Sequence, residues 1–119
     1  NINLQQLLND ALLRHQPKID SMSVQLQVKQ DLMISADPIL LKSLIHNLIN
    51  NAIQHGGQRL LIAANQNSLV ISNTLTEVES VAGYGFGLEI VSRICRYAGW
   101  SLHIRSTSTV YSAKISQLG

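Results

Sequence analysis

The sequence predicts an α/β domain, a two-layer α+β sandwich in which three helices pack on one face of a mixed, mostly antiparallel sheet. Segments with helical spacing of apolar residues follow one another along the chain with short segments in which apolar and polar residues alternate. In addition, the segment "SLHIRS" has its apolar residues on one face only. This pattern is typical of a sheet that helices cover on a single side.

Three segments have the apolar spacing of helices. The first begins in "LQQLLNDALL", and we expect it to end at Pro17 because the residue before a proline disfavours helical geometry. The second begins with Asp37 as its N-cap and Pro38 in its first turn, and it ends before Gly56. The third is "FGLEIVSRICRYAG", which ends at Gly99.

Strand periodicity is found in several short segments between these helices. In "SVQLQVKQ", apolar residues alternate with polar ones, and "LMISA" is a further short strand after a turn at 30–31. The segments "QRLLIAANQ" and "SLVISN" are predicted to form a hairpin that turns near Asn67, and "SLHIRS" and "TVYSAKIS" are the last strand pair. The intervening "TLTEVESVAGYG" is predicted to be a loop.

Composition indicates one globular domain over residues 1–119. Apolar residues make up 45% of the chain, which argues against disorder, and the net charge of +2 is too small for an electrostatic nucleic-acid binder. Cys95 is the one cysteine and is predicted to be a buried or half-buried thiol. No apolar run reaches the roughly 18 residues of a membrane span. Because the chain begins without Met, we interpret it as an excised domain.

Asparagines on the second predicted helix mark a candidate binding site. Asn47, Asn51 and His55 follow one another at intervals of four residues, so they form one stripe beside the apolar face. An asparagine carbonyl is a neutral oxygen ligand suited to Mg²⁺, which takes further oxygens from water and phosphates. An adjacent polar stripe either faces solvent or belongs to the same site; it contains His46, Asn50 and Gln54.

Glycines before the third predicted helix are the second candidate feature. Gly83, Gly85 and Gly87 alternate in "GYGFGLEIV". Small residues let the backbone approach a ligand, and a helix N-terminus offers free N–H groups and the positive end of its dipole to phosphate. A flexible hinge is the alternative interpretation. A Rossmann fingerprint is disfavoured because the glycines follow a loop rather than the first strand of a βαβ unit.

Together, "NLINNAIQHG" and "GYGFGLEIV" resemble the N box and the second glycine box of the GHKL superfamily, most closely the catalytic and ATP-binding domain of bacterial sensor histidine kinases. The resemblance extends over nearly the whole chain and implies ATP and Mg²⁺ as cofactors. It implies that Asn51 is the metal ligand and that Asn47 contacts phosphate or metal. The other ATP-binding positions that it implies are Gln54, His55, Asn73, Gly83, Gly85, Gly87, Leu88 and Thr109.

Three features depart from the family pattern. Asn73 stands where the first glycine box has an Asp that accepts a hydrogen bond from the adenine amino group, and no glycine follows it. Asn can still accept through its side-chain oxygen, but the bond is weaker without charge. Gln54 replaces a Lys or Arg that often contacts phosphate. Residues 74–82 stand where a much longer ATP lid is expected, which implies an open site.

The resemblance implies an enzyme module that transfers the γ-phosphate of ATP to a His on a separate dimerisation domain, which then phosphorylates a response regulator. Asn47 favours a kinase over the hydrolysing relatives, which have a Glu there, because an amide cannot remove a proton. The alternative is a degenerate domain with weak or no ATP binding that acts as a regulatory or interaction module. We expect a homodimeric parent anchored in the bacterial inner membrane, with this domain in the cytoplasm. The isolated domain is expected to be a monomer.

Overall fold

The computed structural model describes residues 2–75 and 85–118, and these form helices on one face of a mixed five-stranded sheet, as predicted. The helices are α1 (Leu4–Arg14), α2 (Gln16–Ile19), α3 (Pro38–His55) and α4 (Gly85–Ala98). The strands are β1 (Ile2–Asn3), β2 (Ser23–Gln27), β3 (Met33–Ile34), β4 (Gly56–Ala64), β5 (Ser68–Leu75), β6 (Ser101–Ser106) and β7 (Val110–Ser116). The predicted α/β class is therefore confirmed, with α2 as an additional short helix.

The main sheet has the strand order β2-β4-β5-β7-β6. β2 pairs in parallel with β4, and every other neighbouring pair in this sheet is antiparallel. β4 and β5 form the predicted hairpin. Its turn is held by Asn65, whose Oδ1 accepts hydrogen bonds from the backbone N–H groups of Asn67 and Ser68 at 2.9 Å each.

The short strand predicted in "LMISA" is β3, and it does not join the main sheet. It pairs with β1 in a separate two-stranded sheet, in which Ile2 is opposite Ile34. The backbone N–H of Leu4 also donates to the carbonyl of Leu32 at 3.0 Å. These contacts join the start of α1 to the segment that leads into α3.

Of two helix boundaries predicted from the sequence, the end of α1 is wrong and the start of α3 is confirmed. Pro17 does not end α1 as expected: the helix ends at Arg14, and Pro17 lies in the first turn of α2. Proline is tolerated there because the N–H groups of a first turn have no partner within the helix. Asp37 is the N-cap predicted for α3, and its Oδ1 accepts from the backbone N–H groups of Ile39 at 2.9 Å and Leu40 at 3.3 Å.

The hydrophobic core lies between the helices and one face of the main sheet, with α3 at its centre. α3 packs against α1, α4, β4 and β5. Six of its side chains are at most 2% exposed: Leu41, Leu44, Ile45, Leu48, Ile49 and Ala52. On α4, Cys95 is buried as predicted, and burial raises the pKa of its thiol. Among the described residues, no helix has both the length and the apolar character needed to cross a membrane.

Two histidines contact each other where α1 and α3 pack together. The ring centroids of His15 and His46 are 5.7 Å apart, and Nε2 of His15 is buried without a hydrogen-bond partner in the described part of the chain. Burial lowers the pKa of both imidazoles. The charge of Lys18 lowers the pKa of His15 further, and those of His15, Arg14 and Lys42 lower that of His46.

We predict that acid destabilises the domain through this histidine pair. Because both pKa values in the folded state lie below the ordinary value of 6.5, the unfolded chain binds more protons as the pH falls below that value. The free energy of unfolding should therefore fall as the pH is lowered through this range, and rise again as the pH is raised. Asp10 lines the same cleft as His46, but it is outnumbered by the three basic side chains around the pair.

Urea unfolding between about pH 5 and pH 7 tests this prediction. In His46→Gln, the urea midpoint should depend less on pH than it does in the parent. His103→Gln is the matched control, since His103 is exposed on β6, and it should keep the pH dependence of the parent. The same slope in His46→Gln and the parent would contradict the assignment.

Candidate functional site

α3 holds Asn47 in a defined orientation. The side chain is half-buried, and its Nδ2 donates to the backbone carbonyl of Ser43, one turn earlier, at 2.8 Å. A carbonyl can only accept a hydrogen bond, so this contact identifies the amide nitrogen and leaves Oδ1 for another partner. Gln54, further along α3, is exposed.

Asn51 is buried within the packing of α3, with 4% of the residue exposed. Its Nδ2 has no hydrogen-bond partner among the described residues. A buried amide of this kind costs about 1–3 kcal/mol in lost hydration. Because no bond fixes the orientation, a half-turn of the amide exchanges its oxygen and nitrogen. The residue can therefore offer either a donor or an oxygen ligand to a bound group.

Asn73 lies on β5, on the face of the sheet that the helices cover. It continues the buried alternation of Leu69 and Ile71, and 2% of it is exposed. Its Nδ2 donates to the backbone carbonyl of Thr74 at 3.1 Å, whereas Oδ1 is buried without a partner in the described ranges. Asn73 therefore presents an unused hydrogen-bond acceptor inside the fold.

Asn51 and Asn73 lie on elements that pack against each other. They are the buried polar residues in the described part of the chain, and α3 contacts β5. Buried polar groups without partners are rare, because their lost hydration is not compensated. Each of the two is therefore a position at which a ligand with hydrogen-bonding groups would complete the pairing.

The predicted glycine segment is described only in part. α4 begins at Gly85, so Gly85 and Gly87 lie in its first turn, and Leu88 follows them as a half-buried residue. The prediction that these glycines stand at the start of a helix therefore agrees with the structure for Gly85 and Gly87. Gly83 and the side chain of His55 lie outside the described residues, and the roles predicted for them remain predictions.

Thr109 is exposed in the turn between β6 and β7. Its carbonyl accepts from the backbone N–H of Leu75 at 2.8 Å, which joins this turn to the end of β5. The expected loop also begins later than predicted, because Thr74 and Leu75 belong to β5. The segment between β5 and α4 is therefore 76–84, and it lies outside the described residues.

β4 has an irregularity beside Asn73 that was not predicted from the sequence. Four residue steps on β4 are matched by two on β5, so the register shifts, and we call this feature the β4–β5 bulge (residues 57–59 opposite Thr74). Oγ1 of Thr74 accepts from the backbone N–H groups of Gln58 at 3.0 Å and Arg59 at 3.1 Å. A Cβ on Gly57 would lie 2.9 Å from the same oxygen. The consecutive glycines at the start of β4 were the available signal.

The fold is that of the catalytic domains of sensor histidine kinases. The chain superposes on the cytoplasmic segment of the histidine kinase QseC with a TM-score of 0.78 and 22% identity, over 98% of this chain and 76% of that one. For the catalytic domain of the histidine kinase ThkA, the TM-score is 0.73 and the identity 20%, over 98% and 94% of the two chains.

A third similar structure is full-length ShkA in complex with AMPPNP, with a TM-score of 0.74 and 16% identity over 98% of this chain and 31% of that one. Neither a protein-family model nor a curated protein sequence matches the chain. At these identities the similarity demonstrates the fold.

We predict that Asn51→Ala weakens Mg²⁺-dependent nucleotide binding without unfolding the domain. The substitution removes a buried amide that has no partner, so the free energy of unfolding should stay within about 1 kcal/mol of the parent or rise. Calorimetric titration with Mg·ATP and a thermal melt provide the two measurements. Asn50→Ala, one residue earlier and half-buried, is the matched control. Parent-like Mg·ATP binding by Asn51→Ala would show that Asn51 is not the metal ligand.

Proposed function

We propose that this chain is the ATP-binding catalytic domain of a sensor histidine kinase. The observation that supports this most directly is the buried acceptor of Asn73, which has no partner and lies in the fold of histidine kinase catalytic domains. A ligand that supplies a hydrogen-bond donor there removes the cost of the unpaired oxygen. The exocyclic amino group of adenine is such a donor.

The proposed metal site contains one protein ligand, the Oδ1 of Asn51. This fits Mg²⁺, which commonly takes one or two oxygens from protein and the remainder from phosphates and water. The metal would neutralise charge on the phosphates of ATP. The half-rotation available to the Asn51 amide allows its oxygen to face the ion while the nitrogen donates elsewhere.

Asn47 would act by positioning. Its Nδ2 is fixed on the Ser43 carbonyl, so Oδ1 is the atom available to order a water or a group in the phosphate region. An amide cannot act as a base at neutral pH, so the chain would supply binding and orientation. In the reaction, a nitrogen of the acceptor histidine bonds to the γ-phosphorus, the bond to the bridging oxygen breaks, and ADP leaves.

The proposed reaction requires two partners. The acceptor histidine belongs to a dimerisation domain of the same protein, and the phosphoryl group then passes to a response regulator. The parent would be a homodimer, and this domain alone a monomer. We place the domain in the cytoplasm of a membrane-anchored parent, since the QseC structure is described as a cytoplasmic segment.

We predict that the domain binds ATP in preference to GTP and binds ATP and ADP with similar affinity. Guanine presents an acceptor where adenine has its amino group, so it cannot donate a hydrogen bond to the unpaired Oδ1 of Asn73. Residues 74–82 include Glu77 and Glu79 and no Lys or Arg, so they add repulsion to the γ-phosphate rather than a counter-charge.

Calorimetric titrations with ATP, ADP and GTP, each with and without Mg²⁺, test this prediction. Asn73→Ala should lose most of the preference for ATP over GTP. ATP and ADP should differ by less than about tenfold in Kd, or about 1.4 kcal/mol. Absence of ATP binding under all conditions would favour a regulatory or interaction module with this fold. If ATP bound much more tightly than ADP, residues 74–82 would have to close over the phosphates, and the prediction of an open site would be wrong.

A further inference from the structure

We propose that Thr74 is a positioning residue that makes the site specific for 6-aminopurines, because it holds the Asn73 amide with its oxygen free. This inference rests on the proposed function and extends it to a residue that does not itself contact the base. It also assigns a role to the β4–β5 bulge, which the histidine kinase resemblance does not explain.

The backbone of Thr74 fixes the orientation of the Asn73 amide. Its nitrogen lies 3.1 Å from the backbone oxygen of Thr74. A half-turn of the amide would bring two acceptor oxygens to this distance, which is repulsive in a residue that is 2% exposed. The Thr74 carbonyl therefore fixes Oδ1 as the free atom. An acceptor pairs with the amino group of adenine and rejects the oxygen of a 6-oxopurine.

The Thr74 carbonyl is itself held in place by the β4–β5 bulge. Regular pairing between β4 and β5 is interrupted at the bulge, and Oγ1 of Thr74 accepts two backbone N–H groups there, from Gln58 and Arg59. The hydroxyl thus fixes the backbone of Thr74 against β4. Gly57 makes room for it, because a Cβ at this position would lie 2.9 Å from Oγ1 and 3.3 Å from the Thr74 carbonyl oxygen.

This arrangement explains why an asparagine suits position 73 in this chain. An ionised aspartate has no N–H to donate, so one of its oxygens would face the Thr74 carbonyl at the distance that the amide nitrogen now occupies. The repulsion would disfavour the charged form. Asn73, Thr74 and Gly57 therefore act as one unit, and replacement of Asn73 alone by the family's aspartate should not improve adenine binding.

Thr74→Val and Thr74→Ser form the first test. Valine keeps the shape of threonine but removes the acceptor of the two bulge hydrogen bonds, whereas serine keeps it. The measured quantity is the ratio of the dissociation constants for ITP and ATP, since hypoxanthine has an oxygen in place of the amino group. We expect this ratio to fall at least about fivefold in Thr74→Val and to stay near the parent value in Thr74→Ser.

Ser72→Ala, two residues earlier on the same face of β5 as Thr74, is the matched control and should keep the ratio of the parent. If Thr74 served only for stability, Thr74→Val would lower the melting temperature and weaken ATP and ITP equally. An unchanged ratio in Thr74→Val would therefore overturn the proposal. So would Asn73→Asp if it bound ATP more tightly than the parent while melting at the same temperature.

A second measurement needs no nucleotide, so failure of this inference can be distinguished from failure of the proposed function. The side-chain NH₂ of Asn73, identified in ¹⁵N NMR spectra by its absence from Asn73→Ala, should exchange slowly with solvent in the free domain and in Thr74→Ser. It should exchange at least about tenfold faster in Thr74→Val, because the backbone carbonyl of residue 74, which accepts its hydrogen bond, is no longer held against β4. Equally slow exchange in Thr74→Val would overturn the positioning role even if ATP binds as proposed.

Discussion

The packing of α3 is the constraint on which the rest of this structure depends. The helix lies between α1 and α4 and covers β4 and β5, so its apolar stripe cannot rotate without exposing the core. Five buried leucine and isoleucine side chains, each contributing on the order of 1.5–3 kcal/mol, set its rotation about its own axis. The asparagines at the border of this stripe are oriented by the same packing.

Burial of two amides, each with one polar atom that has no partner among the described residues, is a cost that the fold has to offset. Asn51 and Asn73 lie inside a core that consists mostly of leucine and isoleucine, and neither completes its hydrogen bonds within the described residues. A ligand that pairs with them adds its binding free energy to the stability of the folded state. The free energy of unfolding is therefore expected to rise when the ligand binds, because the same residues limit the stability of the free domain.

The sequence allowed a good part of this structure to be predicted, because several signals act locally. Asp37 and Pro38 define the start of α3, and Asn73 falls on the buried face of β5 by alternation. The failures concern non-local geometry. Nothing in "LMISA" specifies β1 as a partner, and the β4–β5 bulge depends on contacts between residues 16 positions apart. Pro17 lies in the first turn of a helix and not at the end of one, which shows that proline can occur at either boundary.

The burial of Cys95 gives this domain an internal reporter of its own opening. The thiol is the one cysteine of the chain and lies on α4 at 2% exposure, and burial raises its pKa. We therefore expect it to react slowly with alkylating agents until α4 moves away from α3 and the sheet, against which it packs. Pulse labelling with an iodoacetamide probe would then measure the lifetime of the closed helical layer without any engineered tag. Because α4 begins at the predicted phosphate-binding glycines, the labelling rate would also report how far an occupied pocket suppresses local unfolding.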